Sequence, residues 1–252
     1  MKTLAWLVVA ALAVVGAASA VTRTIAVGRV LQGADAAELS PRDVENLHQL
    51  AAFFGVSEES EHYRVTERDT RYASIKYNSQ PAVVLLHVAP GAIFLLAAPL
   101  QLSGRLRRRY AAVHRSLGYL LLVLAIPFAI TGLYLAVRDP VFGRIGESAA
   151  VLAGLLFINA GVRAYLAIRR GDRARHREWM LRFLALGYGI AVIRVMATVV
   201  LGFVPVGPRA LGAPMFWIGW ITSALAAEWW IRRSSIARPG TLPGLPPRPA
   251  LS

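Results

Sequence analysis

The chain has 252 residues, 56% of them hydrophobic and 17% charged, with a net charge of +14 and no cysteine. Apolar runs of about twenty residues recur, and runs of that length span bilayers, so an ordinary soluble domain is excluded. The missing cysteine excludes disulfides, thiolate metal sites, cysteine-ligated iron–sulfur clusters and cysteine nucleophiles.

Six apolar segments are expected to cross the membrane as helices, at residues 4–21, 82–103, 116–137, 148–168, 180–203 and 213–231. The first, residues 1–21, reads as a transmembrane anchor; Lys2, the apolar run and Ala18-Ser19-Ala20 also fit a cleavable signal peptide. Both readings place residue 22 outside. Residues 22–81 form the one sizeable extramembrane segment. Within it, Ser40-Pro41-Arg42-Asp43 has the chemistry of a helix start: a capping hydroxyl, a proline in the first turn and an early acid. Val44, Leu47, Leu50, Ala51 and Phe54 then fall on one face, so an amphipathic helix is expected. The remainder, through Tyr63, Tyr72 and Tyr77, is expected as loop or short strand. Residues 82–231 supply a bundle of five further spans, and the proline-rich tail 232–252 is expected to be disordered.

The charge partition fixes an expected orientation. Arg105, Arg107, Arg108, Arg109 and Arg115 lie in one connection, and Arg169, Arg170, Arg173, Arg175, Arg177 and Arg182 in another. With Lys2 and the tail, these pieces hold sixteen basic and two acidic residues, against ten basic and eleven acidic in the remaining connections. The positive-inside rule makes the first set cytoplasmic, with both termini inside. The excess of basic charge therefore reports orientation and contact with anionic lipid headgroups, and nucleic acid is not needed to explain it. The fold class expected is an all-α polytopic bundle of six transmembrane helices. Gly118, Gly132, Gly161, Gly187 and Gly189 are expected to permit close helix approach.

The second and third spans form one hairpin, and the fourth and fifth another. In each, a His-Arg pair precedes the returning helix: His114-Arg115 and His176-Arg177, 62 residues apart. The common placement puts both pairs at one membrane border. A helix N-terminus with an adjacent arginine suits phosphate or carboxylate. The same positive end favours neutral imidazole, the form that metals and haem iron require. These residues read equally well as headgroup contacts.

Polar groups within the spans are His87, Asn159, Arg163, Arg194 and Glu228. Such groups are costly in lipid and face a partner, a cavity or the bundle interior. Glu228 is a candidate partner for Arg163 or for the arginines at the same border. Arg194 has no acid at its own depth, so it needs carbonyls, Thr131, Tyr134, water or an anionic ligand. His87 lies in the same half of the bilayer, just before Pro90-Gly91.

His87 with Gly91, Pro99-Leu100-Gln101, His114-Arg115-Ser116-Leu117-Gly118-Tyr119, Arg170-Gly171-Asp172, His176 to Arg182 and Arg194 form a combined pattern. On these residues the segment from Leu86 to Arg194 resembles a bacterial membrane family, the domain of unknown function 2306. The resemblance implies a multi-pass protein of the bacterial inner membrane and brings no activity with it. The family's usual Gly-Pro-Gln-Phe is replaced by Ala98-Pro99-Leu100-Gln101-Leu102.

Three functions stay open on this sequence. One is redox or haem-handling chemistry, with His114 and His176 as ligands of a b-type haem, Arg115, Arg177 or Arg182 meeting its propionates, and His87 too far along its helix to join that pair. Another is small-anion or lipid binding or transport, with Asn159, Arg163 and Arg194 lining a cavity. A scaffold or assembly role through residues 22–81 is the third. No Ser-His-acid set, Walker loop or zinc spacing supports hydrolysis.

Overall fold

The computed structural model describes residues 2–138 and 140–236. Among them are nine helices: α1 (Lys2–Leu31), α2 (Pro41–Phe54), α3 (Glu61–Asn78), α4 (Pro81–Leu102), α5 (Gly104–Arg109), α6 (Ala111–Arg138), α7 (Gly143–Arg169), α8 (Arg173–Phe203) and α9 (Pro208–Ile236). No strand occurs among the described residues. Six helices (α1, α4, α6, α7, α8 and α9) are long and apolar enough to cross a membrane. The all-helical, six-span architecture expected from the sequence is therefore present, and the protein is a polytopic membrane protein. The expected disordered tail lies mostly outside the described residues; what is described of it, to residue 236, continues α9.

The local signals explain where the helices start and stop. The Ser40 hydroxyl accepts from the Asp43 N–H at 3.1 Å, Pro41 opens α2, and Gly55 closes it at φ 68°. Ser60 caps α3 by accepting from the Tyr63 N–H at 3.1 Å. The Asp172 carboxylate caps α8 by accepting from the Arg175 N–H at 2.9 Å. α3 replaces the loop or short strand expected for this part of the chain. Its sequence hides it, because the residues it buries are polar: Thr66, Asp69, Ser74 and Asn78. An apolar stripe was the wrong signal for a helix seated on the polar end of a bundle. Asp69 accepts from the Arg209 N–H at the start of α9, and His62 bonds the Leu201 carbonyl of α8 at 2.6 Å. α1 also runs ten residues past the expected boundary at 21, because Arg23 meets Ser74 and Asp43 above the apolar run.

In the bundle, α1, α4, α6, α7 and α8 surround a common centre, and α9 packs on the outer side of α7 and α8. One end carries α2, α3 and the connection between α6 and α7. The other carries α5, the α7–α8 turn and the C-terminal part of α9, where Arg177 donates to Ser234. Val123, Ile126, Ile130 and Val137 form an exposed apolar stripe on α6, the face a bilayer would cover.

The centre is closed by four phenylalanine rings, Phe94 of α4, Phe128 of α6, Phe157 of α7 and Phe183 of α8. Phe157 stacks on Phe183 at 4.4 Å, and Phe94 meets Phe157 and Phe183 edge-on at 5.6 and 5.3 Å. Small residues make this possible in a way the sequence did not suggest. A Cβ on Gly187 would lie 2.4 Å from the Phe94 ring, one on Gly161 3.0 Å from Phe183, and one on Gly189 2.1 Å from Trp220. These glycines admit aromatic side chains from neighbouring helices. A Cβ on Gly118 would meet the Gln101 side-chain oxygen at 3.7 Å, an ordinary contact distance, so this position does not require glycine.

Prolines inside spans leave carbonyls without their helical donor. Pro99 cannot donate to the Leu95 carbonyl one turn back. The buried Tyr188 hydroxyl of α8 donates to that carbonyl at 2.6 Å, tying α8 to α4. Tyr188→Phe should therefore lower stability by about 1–3 kcal/mol, the cost of a buried acceptor left unpaired. Thermal denaturation in detergent would show it as a reduced midpoint. Tyr165→Phe, at a position 39% exposed, should leave the midpoint unchanged.

Candidate functional site

The aromatic layer separates two polar groups of residues. At the end carrying α5, His114 begins α6 and His176 begins α8, so the fold brings both His-Arg pairs to one end. His114 lies within electrostatic reach of His176 and Arg107. His176 Nδ1 is 2.9 Å from the Ala164 carbonyl of α7. A carbonyl only accepts, so Nδ1 carries a proton and donates, and Nε2 is the ring nitrogen that this bond leaves for another partner. His114 is held differently. Gln101 donates to its backbone carbonyl at 3.1 Å, while its Nδ1 is enclosed with no hydrogen-bond partner among the described residues.

The arginines at this end have distinct tasks. Arg182 makes a two-pronged pair with Glu228 of α9, at 2.5 Å from Nε and 3.0 Å from the terminal nitrogen. Its guanidinium also lies over the Trp179 ring at 4.6 Å. Arg163 approaches the same ring at 4.9 Å and donates from Nε to the Asn159 amide oxygen at 3.0 Å. Asn159, Arg163, Trp179, Arg182 and Glu228 thus form one connected group on α7, α8 and α9. Of the two partners considered for Glu228, the structure shows Arg182. Arg115 is exposed, and Arg177 holds Ser234.

Across the aromatic layer, the His87 ring stacks on Phe128 at 4.7 Å and its Nδ1 donates to the Phe128 carbonyl at 2.9 Å. Gly132 leaves the room for it, since a Cβ there would stand 2.7 Å from His87 Cε1. Thr131 is occupied by the Pro127 carbonyl at 2.5 Å. His87 is fourteen residues along α4 from Gln101, about 21 Å at helical rise, which separates it from the His114–His176 end. Arg194 lies near His87, on α8. It is exposed, and it forms no hydrogen bond or ion pair among the described residues. Thr131 and Tyr134, two acceptors considered for it in the sequence, do not meet it.

Signals missed in the sequence include Trp179, whose ring lies between two guanidinium groups. Gln101, noted only as part of a family pattern, braces the His114 backbone. The spacing of Trp179 one turn from Phe183 and three residues from Arg182 was available, but its partner Arg163 comes from another helix. Among the described residues no group of three or more His, Asp or Glu stands close enough to hold a metal ion.

The fold and these groups define a multi-pass helical membrane protein with polar clusters at the two ends of its bundle. The pattern described as predicted membrane protein, domain of unknown function 2306, matches residues 84–231, and the chain belongs to that family. No curated protein and no solved structure matches the chain.

The Arg182–Glu228 pair is partly exposed at the membrane border, so solvent discounts its strength. A double-mutant cycle with Arg182→Gln and Glu228→Gln should give a coupling on the order of 1 kcal/mol in thermal or chemical unfolding. Additive single effects would show that the two groups act separately despite their geometry.

Proposed function

We propose that this protein holds one b-type haem at the end carrying α5, with His114 and His176 as the residues that would ligate it, and serves as a redox carrier of the bacterial inner membrane. One observation carries the reading. His176 is fixed through Nδ1 to a backbone carbonyl, a bond of the kind that orients ligating histidines, and His114 stands nearby on another helix. Two neutral imidazoles from different helices of a bundle are a common haem ligand set.

The protein's own part would be binding and orientation. Gln101 positions the His114 backbone, and Ala164 sets the His176 ring. Arg115, exposed beside His114, would meet a propionate, and Arg177, held by Ser234, stands next to His176. Arg182, the third arginine considered for that task, is engaged by Glu228 and Trp179. The haem would supply one-electron chemistry; the helices would set its exposure and therefore its potential.

Protein produced with ample haem and purified in detergent should show a Soret band that shifts on dithionite reduction. His114→Ala and His176→Ala should each abolish the six-coordinate spectrum, while His87→Ala should retain it. A colourless wild-type protein would refute the assignment, and a spectrum unchanged in both ligand variants would move the haem elsewhere.

The same reading places the arginine-rich end in the cytoplasm, with anionic lipid headgroups around it. The lack of native cysteine makes this directly measurable. In intact spheroplasts, a membrane-impermeant maleimide should label Ser57→Cys and should reach Arg173→Cys only after permeabilisation. The opposite pattern would invert the topology.

A further inference from the structure

Leu155, Asn159, Val162 and Leu166 follow one another at helical spacing along an exposed face of α7, and Arg163 stands beside them. Lipid is the cover such a face calls for, and polar groups set into it are costly without partners. The two polar groups answer each other in part, since Arg163 donates from Nε to the Asn159 amide oxygen at 3.0 Å. Asn159 lies one turn nearer the middle of the span. The bond therefore ties the arginine side chain back and keeps it from extending to the water, the usual escape of a basic residue near a helix end.

The depth follows from the helix. α7 has 27 residues, about 40 Å of helix, and Arg163 stands six residues, about 9 Å, before its end at Arg169. A hydrocarbon core of about 30 Å centred on α7 leaves about 5 Å of helix beyond each border, which sets Arg163 about 4 Å inside. Trp179 of α8 is close to that level, because His176, one turn before it, is bonded to the Ala164 carbonyl of α7. Its ring is 4.9 Å from the Arg163 guanidinium and 4.6 Å from that of Arg182. Glu228 takes Nε and a terminal nitrogen of Arg182. Arg163 forms no ion pair among the described residues. Its Nε is engaged by Asn159 and its plane by Trp179, which leaves the two terminal nitrogens as a pair of donors.

We propose that this group is the binding site of one anionic phospholipid from the leaflet at the end carrying α5, with the terminal nitrogens of Arg163 on its phosphate. Asn159 and Trp179 are positioning residues that hold the guanidinium toward lipid. The planar fork of arginine takes two phosphate oxygens in parallel, and a negative headgroup supplies the counter-charge that Arg163 lacks. A lipid phosphate stands at the border and needs only local thinning of the bilayer to descend about 4 Å. A soluble anion would have to leave water for the same place. The other arginines of this end differ in this respect: Arg173, for one, is exposed at the start of α8, where water and headgroups meet it interchangeably. The site needs neither haem nor the histidine pair.

The test uses the full protein in a mild neutral detergent. Phosphatidylglycerol and phosphatidylcholine with the same acyl chains are titrated separately, with the unfolding midpoint and native mass spectrometry as readouts. Phosphatidylglycerol should raise the midpoint saturably with one tightly retained copy per chain, and phosphatidylcholine should act about tenfold more weakly or less. Arg163→Gln should weaken the phosphatidylglycerol response by about tenfold or more, and Arg163→Lys should retain part of it. Arg173→Gln removes the same charge at the same end and should leave the response unchanged. If Arg163→Gln does not fold, Asn159→Leu removes the positioning bond from a lipid-facing position and should weaken the response in its place. The absence of a saturable preference for phosphatidylglycerol in wild type overturns the proposal, as does an undiminished response in Arg163→Gln or, where that variant fails to fold, in Asn159→Leu. An equal loss in Arg173→Gln overturns it by making the effect one of bulk charge. A midpoint raised as far by glycerol 3-phosphate alone overturns it by assigning the site to a soluble anion.

Discussion

The four-phenylalanine layer is the constraint on which the rest of the structure depends. One ring comes from each of α4, α6, α7 and α8, so the layer fixes the mutual positions of the four helices that carry nearly every polar group in the membrane. It depends in turn on Gly161 and Gly187, because a Cβ at either would occupy the space of a ring. Without a hydrophobic force to drive helices together in lipid, packing of this kind and interhelical hydrogen bonds must hold the bundle. The Tyr188 bond to the Leu95 carbonyl is the matching polar contact, one turn from the same layer.

Closing the centre with aromatic rings gives the two ends different chemistry. At one end, cations are met by acids and rings: Arg182 by Glu228, and both Arg182 and Arg163 by Trp179. Histidines at that end keep a nitrogen unengaged. At the other, acids such as Asp43 and Asp69 are taken by Arg23, Arg68 and the start of α9. The contrast follows from how each end is covered. The α2–α3 cap has its own acids and uses them to seat itself on the bundle, so none reaches down to α8.

Much of this architecture was legible before any coordinates. Hydropathy and length marked the six spans, and Ser40-Pro41 marked the start of α2 because capping chemistry is local. The two His-Arg pairs were legible as neighbours because alternating spans must return them to the same end. What could not be read was set by contacts between distant segments. α3 buries Asp69 and Asn78 against polar partners, so its pattern lacks the apolar stripe that announces a surface helix. The placement of Trp179 between two guanidiniums needs α7 and α8 in register. The role of Gly187 and Gly189 as sockets for Phe94 and Trp220 needs the rings themselves.

The net charge of +14 takes on a sharper meaning against this structure. As a sum it is accounted for by arginines clustered at one end, where water and headgroups meet them at little cost. Most of those residues can change with small effect, since their task is statistical: it requires several basic residues at one border and no particular one. Arg182 is the exception there, because its partner and its ring are specified. Arg194 is the other exception, and for the opposite reason. It contributes one charge to the total, too few to orient the protein, at a depth where a charge is costly. Arg194 is therefore a local feature of α8, set apart from the bulk basic excess that the border arginines account for.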